Sequence, residues 1–176
     1  MNGKKSFIKA LMYLDSNATS PLDEEVWQAM LPWWREQFFN PSSSYHGAKV
    51  ARRAIDEARG QVAALLGAQE DEIIFTSGGT EAINTVLRSW DADAGAGDFL
   101  TTAVEHSAVL RTGEFLPRAM QKCGVGSLGA LDLDEWRSLI AQSAFAAAMA
   151  VNNETGVIME WRAAAQMARS AGKPFF

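Results

Sequence analysis

The spacing of apolar residues changes period several times along this 176-residue sequence. Ala51, Ala54, Ile55, Ala58, Val62 and Leu65 recur every three or four residues, which predicts a helix with one buried face, and Gly67 is placed to stop it. Ile73-Ile74-Phe75-Thr76 is a short β-branched and aromatic run that predicts a buried strand. Thr80 to Trp90 predicts a helix, Phe99 to Val104 a strand, and Ser107 to Met120 a helix disturbed by Pro117. Asp132 or Asp134 is suited to cap a helix running to about Ser143. Phe145 to Val151 predicts a strand, Trp161 to Ala171 a helix, and Pro174-Phe175-Phe176 the start of one more strand. The small and polar stretch Asp91 to Asp98 predicts a surface loop. Strands that alternate with helices predict an α/β sheet with helices on both faces.

No repeat or low-complexity tract interrupts this pattern. The length suits one domain, expected as an N-terminal arm over about 1–45 and an α/β part over about 46–176, with the sequence stopping inside an element. Apolar residues make up 48% and charged residues 21%, the balance of a soluble globular chain. Six Trp and nine Phe supply large buriable surfaces. A net charge of -5 argues against nucleic acid as a main partner, because phosphate backbones call for concentrated Lys and Arg. Cys123 is the sole cysteine and has no partner for an internal disulfide. No apolar run is long enough to span a membrane, so none is expected as a partner. Lys4, Lys5 and Lys9 precede only a short apolar patch, Ala10 to Leu14, too short for a secretory signal, and the expectation is a cytoplasmic protein. No metal-ligand set is read from the sequence.

Three polar segments follow predicted strands. In Ile73-Ile74-Phe75-Thr76-Ser77-Gly78-Gly79-Thr80-Glu81 two glycines separate the strand from a helix opening at a hydroxyl residue. Glycines let the backbone come close to a ligand, and the first N–H groups of a helix are free for an anion; a capped helix after a turn is the simpler reading. The segment is neither a Walker A loop nor a dinucleotide fingerprint. Glu105-His106 lies past the next strand, where ligands gather in such sheets. An imidazole there can stack on a flat cofactor or move a proton, or serve as a hydrogen-bonded structural group. Val151-Asn152-Asn153-Glu154-Thr155-Gly156 follows a third strand, where amides can hold an oxygen without adding charge or form an ordinary turn.

Together with Tyr13-Leu14-Asp15-Ser16-Asn17-Ala18-Thr19-Ser20-Pro21 and Asn40-Pro41-Ser42-Ser43, these segments occur in the order and approximate spacing of the cysteine desulfurases. The chain resembles the N-terminal half of that family, which belongs to the class V aminotransferase group of fold-type-I pyridoxal-phosphate enzymes. The resemblance runs from about Tyr13 to Phe176 and implies an incomplete large domain of that fold. It implies pyridoxal 5'-phosphate as cofactor, with Gly79 (through its backbone) and Thr80 on the phosphate. His106 would stack on the pyridine ring and assist proton transfer, and Asn153 would face the phenolic oxygen. The 15–21 loop and the 40–43 turn would line the substrate entrance. The implied reaction turns L-cysteine into L-alanine and passes sulfur to an enzyme cysteine as a persulfide. The implied partners are a second copy of the chain, as homodimer or self-association, and a sulfur-acceptor protein. A selenocysteine lyase, a small-amino-acid aminotransferase and a non-catalytic, partner-dependent chain are the alternatives.

Four departures from the family pattern stand out. Tyr45 occupies the place of a histidine found in some members, with His46 next to it. The stretch Cys123 to Gly129 is shorter than the family's connection, which normally contains a strand. None of the six lysines (Lys4, Lys5, Lys9, Lys49, Lys122 and Lys173) follows a histidine, as the family's Schiff-base lysine does. The aspartate that pairs with the pyridinium nitrogen is absent too, so the expectation is a chain inactive on its own. The position of Cys123 argues against the sulfur-accepting role, and a weakly polar structural residue is the expected reading. Trp33-Trp34 and Phe38-Phe39 read as an apolar helix face or a subunit contact.

Overall fold

A computed structural model describes residues 12–176. The chain divides after Phe75 into two compact units. Lys4, Lys5 and Lys9 lie outside the described residues.

The first unit is helical. The Tyr13 hydroxyl donates to the carbonyls of Asp15 (2.7 Å) and Thr19 (2.8 Å), pinning the turn between them. Helix α1 (Glu24–Arg35) starts at Asp23, whose carboxylate accepts from the Glu25 and Val26 N–H groups. None of its residues is buried, and Trp34 stays 69% exposed. Trp33, Phe38 and Phe39 line an apolar cavity of about 490 Å³ with Ala51, Ile55 and Phe75. Helix α2 (His46–Leu66) presents Ala48, Ala51 and Ala63 to the interior, and Gly67 ends it with a left-handed φ of 67°. The expected stop is thus where the periodicity placed it.

The expected strand Ile73 to Thr76 is not formed. The segment joins no ladder among the described residues, and Ile74 and Phe75 are exposed. The Arg59 guanidinium takes the Ile73 carbonyl and lies over the Phe75 ring. β propensity becomes a strand only where a neighbour supplies the other half of the ladder.

The second unit is a parallel sheet covered on both faces. Helix α3 (Gly79–Asp93) precedes β1 (Asp98–Thr102), followed by α4 (Ser107–Glu114), β2 (Met120–Cys123), α5 (Leu133–Ile140), β3 (Ser143–Ala146) and α6 (Trp161–Ser170). Strand order is β2-β1-β3, with Phe99 opposite both Met120 and Phe145. Successive strand residues point to opposite faces. Phe99 and Phe145 therefore join Leu87, Val109 and Leu116 under α3 and α4, whereas Leu100 and Ala146 join Trp136, Ile140, Ala164 and Ala168 under α5 and α6. The 174–176 segment extends the sheet beyond β3: the Phe176 N–H donates to the Ala146 carbonyl and the Ala148 N–H to the Phe176 carbonyl. This is the α/β sheet with helices on both faces expected from the sequence.

Several boundaries differ from expectation. The strand read as Phe145 to Val151 is β3, Ser143–Ala146, because its ladder with β1 begins at Ser143, and α3 runs to Asp93, into the stretch read as a loop. The helix read as reaching Met120 ends at Glu114, because Pro117 lacks an N–H and its ring disfavours helical backbone at Leu116. The residues released form β2, which ends at Cys123, so a strand leads directly into the short 124–129 connection. Among the described residues no helix is long and apolar enough to cross a membrane.

Candidate functional site

The sheet is parallel, so the turns after β1 and β3 leave from the same edge of two neighbouring strands. His106 lies in the first turn and Asn153 in the second. His106 is the N-cap of α4: its Nδ1 accepts the Ala108 N–H at 3.1 Å. That bond fixes the tautomer, because an Nδ1 that accepts carries no proton and leaves the proton to Nε2. The ring is exposed, so the capping role does not bury it.

Thr80 stands in the first turn of α3, a helix whose N-cap, Gly78, offers no side chain to its free N–H groups. The Ser77 N–H is engaged by Glu81 at 2.6 Å, and hydrogen bonding from Ser77 holds the Glu81 carboxyl below its ordinary value. Gly78 is extended, and a Cβ at either Gly78 or Gly79 would meet no atom within 4 Å. Neither backbone strain nor packing demands glycine there. What remains is open space beside a helix N-terminus, the condition for close approach by an anionic group such as a phosphate. Thr80 and His106 line one cavity of about 310 Å³ between α3 and α4, along with Asn84, Arg88, Ser107 and Arg111. Asn153 does not line it; its amide lies 3.3 Å from the Glu154 carboxylate in the exposed 152–156 turn.

Each of these turns also carries a buried polar residue to which the sequence pattern assigns no role. Glu105 is only 8% exposed and Asn152 7%. Oε1 of Glu105 accepts the Met149 N–H at 2.5 Å and the Thr102 hydroxyl at 3.3 Å. Nδ2 of Asn152 donates to the Val104 carbonyl at 3.1 Å, while its Oδ1 accepts from the Glu154 and Thr155 N–H groups. A polar residue directly before each expected site residue was the only signal in the sequence.

Burial pushes the Glu105 carboxyl above its ordinary value of 4.5, against the pull of the Met149, Thr102 and His106 contacts. A carboxyl with a raised folded pKa contributes stability that is complete below its unfolded value and is lost as pH climbs through the folded one. Unfolding free energy from urea titrations should therefore decline across that window, and Glu105→Gln, which cannot ionise, should remove this part of the slope. An unchanged slope in Glu105→Gln would show that other groups cause it.

Three lysines are among the described residues. Lys49 is on α2 in the first unit, Lys122 is within β2, and Lys173 precedes the 174–176 segment at its N-terminal end, opposite to the edge that carries His106 and Asn153. The 15–21 loop and the 40–43 turn belong to the first unit. In that turn the Ser42 N–H donates to Asn40 Oδ1 at 2.9 Å, and the Tyr45 hydroxyl accepts the Asn40 N–H at 3.3 Å. Tyr45 also sets its ring edge-on to Phe39, which gives it a structural task. His46 opens α2.

The sequence pattern of the family described as Aminotransferase class-V matches residues 12–175. A cysteine desulfurase of Azotobacter chroococcum mcd 1 is 42% identical over 168 residues, covering 93% of this chain and 42% of the relative. Among solved structures, a NifS-like protein superposes with a TM-score of 0.86 at 32% identity, over 93% of this chain and 47% of that one. An SspA in complex with cysteine superposes at 0.85 with 28% identity, over 93% and 49%. The chain thus spans less than half the length of the relatives it matches.

Proposed function

The chain belongs to the aminotransferase class-V family, and from that premise we propose that it carries the cofactor-phosphate grip of a pyridoxal-phosphate-dependent cysteine desulfurase. The observation that carries this reading is the shared cavity of Thr80 and His106, one at the uncapped start of α3 and the other at the start of α4. Pyridoxal phosphate, when bound, supplies an electron sink for bond breaking at an amino acid. Gly79 (through its N–H) and Thr80 (through its N–H and hydroxyl) would hold the phosphate. His106 would lie against the ring, with Nδ1 occupied by the Ala108 N–H and Nε2 left to hold or move a proton. Asn153 would donate its amide to the phenolic oxygen without adding charge.

The substrate in this reading is L-cysteine, converted to L-alanine with transfer of sulfur to a cysteine thiol; the cysteine-bound neighbour supports that choice. The partners in this reading are a second copy of the chain and a sulfur-accepting protein. Trp34 and Phe38, both exposed, support an interface on the first unit. None of the six lysines follows a histidine as the family's Schiff-base lysine does, so cofactor binding to this chain is expected to be non-covalent.

Replacing Thr80 by valine removes one hydroxyl donor. Affinity for pyridoxal phosphate, followed by its absorbance, should fall by about 1 kcal/mol, roughly fivefold. Equal affinity in Thr80→Val and the parent chain would remove Thr80 from the site.

A further inference from the structure

We propose that Glu105 and Asn152 are positioning residues forming a reciprocal clamp that fixes His106 relative to Asn153. This rests on the reading of those two residues as the cofactor-facing groups. β1 and β3 are hydrogen-bonded neighbours, but their ladder stops where the site begins: the Ala147 N–H donates to the Leu100 carbonyl, and the two chains then part into turns. Each turn keeps bonds of its own, Ala103 to Cys123 after β1 and the Val151–Ile158 bridge after β3. With no ladder between them, however, the two can shift relative to each other by the ångström that orientation-sensitive chemistry does not tolerate.

Two side-chain bonds replace the ladder there. Glu105, from the turn after β1, reaches across to the Met149 N–H; Asn152, from the turn after β3, reaches back to the Val104 carbonyl. Each clamp residue directly precedes an expected site residue, and each is buried while that site residue is exposed. Both are themselves anchored. The Thr102 hydroxyl holds Glu105, and Asn152 ties its own turn through Glu154 and Thr155, with the Gly156 N–H donating to the Asn152 carbonyl at 2.8 Å. Burying a carboxylate and an amide is costly unless their bonds are made, so the arrangement holds as a unit or is lost as a unit.

The test uses the 176-residue chain and its two histidines, His46 and His106, the former serving as an internal reference in NMR spectra of the ring signals. Glu105→Ala removes the acceptor. Asn152→Asp severs the bond to Val104 yet keeps the oxygen that caps the turn. In both variants the His106 ring signals should move and the Met149 amide should exchange at least about tenfold faster, with His46 and the Trp136 indole unchanged. Glu105→Gln, which retains an acceptor oxygen, should restore the parental His106 signals. Pyridoxal phosphate should bind about tenfold more weakly to Glu105→Ala, whereas inorganic phosphate should bind it as it binds the parent. A parent chain that binds neither would defeat the cofactor reading while the ring signals still judge the clamp. If His106 and Met149 behave as in the parent in both severing variants, the clamp does not exist.

Discussion

Truncating Phe145 to alanine is expected to lower the unfolding free energy by about 3–5 kcal/mol. Phe145 is fully buried in β3 and is the meeting point of one face of the sheet. Its ring stacks on Phe99 at 5.0 Å between centroids, receives the edge of Trp90 at 5.9 Å, and lies under the Arg118 guanidinium at 5.1 Å. None of these neighbours is free to fill the space left behind. Phe99 sits on the next strand, and Arg118 is held by the Asp91 carboxylate at 2.5 Å and by the carbonyls of Gly95 and Gly97. The loss should appear in denaturant unfolding followed by circular dichroism, with Phe145→Leu losing less. As a control, Trp34→Ala, on the exposed face of α1, should stay within about 0.5 kcal/mol. A loss below about 1 kcal/mol for Phe145→Ala would mean that the two rings do not pack as described.

The second large effect concerns thiol chemistry. Cys123 should be nearly inert in the native chain. It is fully buried at the end of β2, where its thiol donates to the Asp132 carbonyl at 3.3 Å and lies 3.6 Å from the Glu135 carboxylate. Burial pushes its pKa up from 9.0 to about 12, and the charges of Glu135 and Asp132 push the same way. At pH 8 a rise of that size cuts the thiolate fraction on the order of a thousandfold, and the thiolate is the nucleophile. A disulfide reagent should therefore label the chain rapidly in denaturant and hardly at all under native conditions. Glu135→Gln should raise the native rate only in part, because burial persists. Rapid stoichiometric labelling of the folded chain would overturn this account and reopen the question of whether Cys123 accepts sulfur.

The unreactive thiol and the proposed phosphate grip differ in how far local sequence announces them. A glycine pair followed by a hydroxyl residue announces a helix start with free N–H groups, and α3 starts at Gly79. Nothing local announces that Cys123 faces Glu135, twelve residues away, or that Glu105 meets Met149, forty-four residues away. The capping bond of His106 was within local reach, since its partner is two residues on. Asn152 and Asn153 are identical in type, and only burial separates the one that holds the turn from the one that faces solvent.

What the sequence determined by itself is what short-range physics controls. The three- and four-residue spacing of alanines and Ile55 produced α2, a glycine able to adopt positive φ ended it, and Asp132 capped α5. The alternation of strands and helices was enough for an α/β sheet covered on both faces, and the ordered motifs were enough for the family. Tertiary structure decided which extended segments became strands. Ile73 to Thr76 has the stronger β propensity but no ladder partner among the described residues, whereas Met120 to Cys123, polar at two of its four positions, is a strand because β1 pairs with it. It also decided which polar residues are buried between the turns and which are left at the surface. Both outcomes depend on hydrogen bonds closed over long stretches of chain, and propensity at a single position carries no information about such a partner.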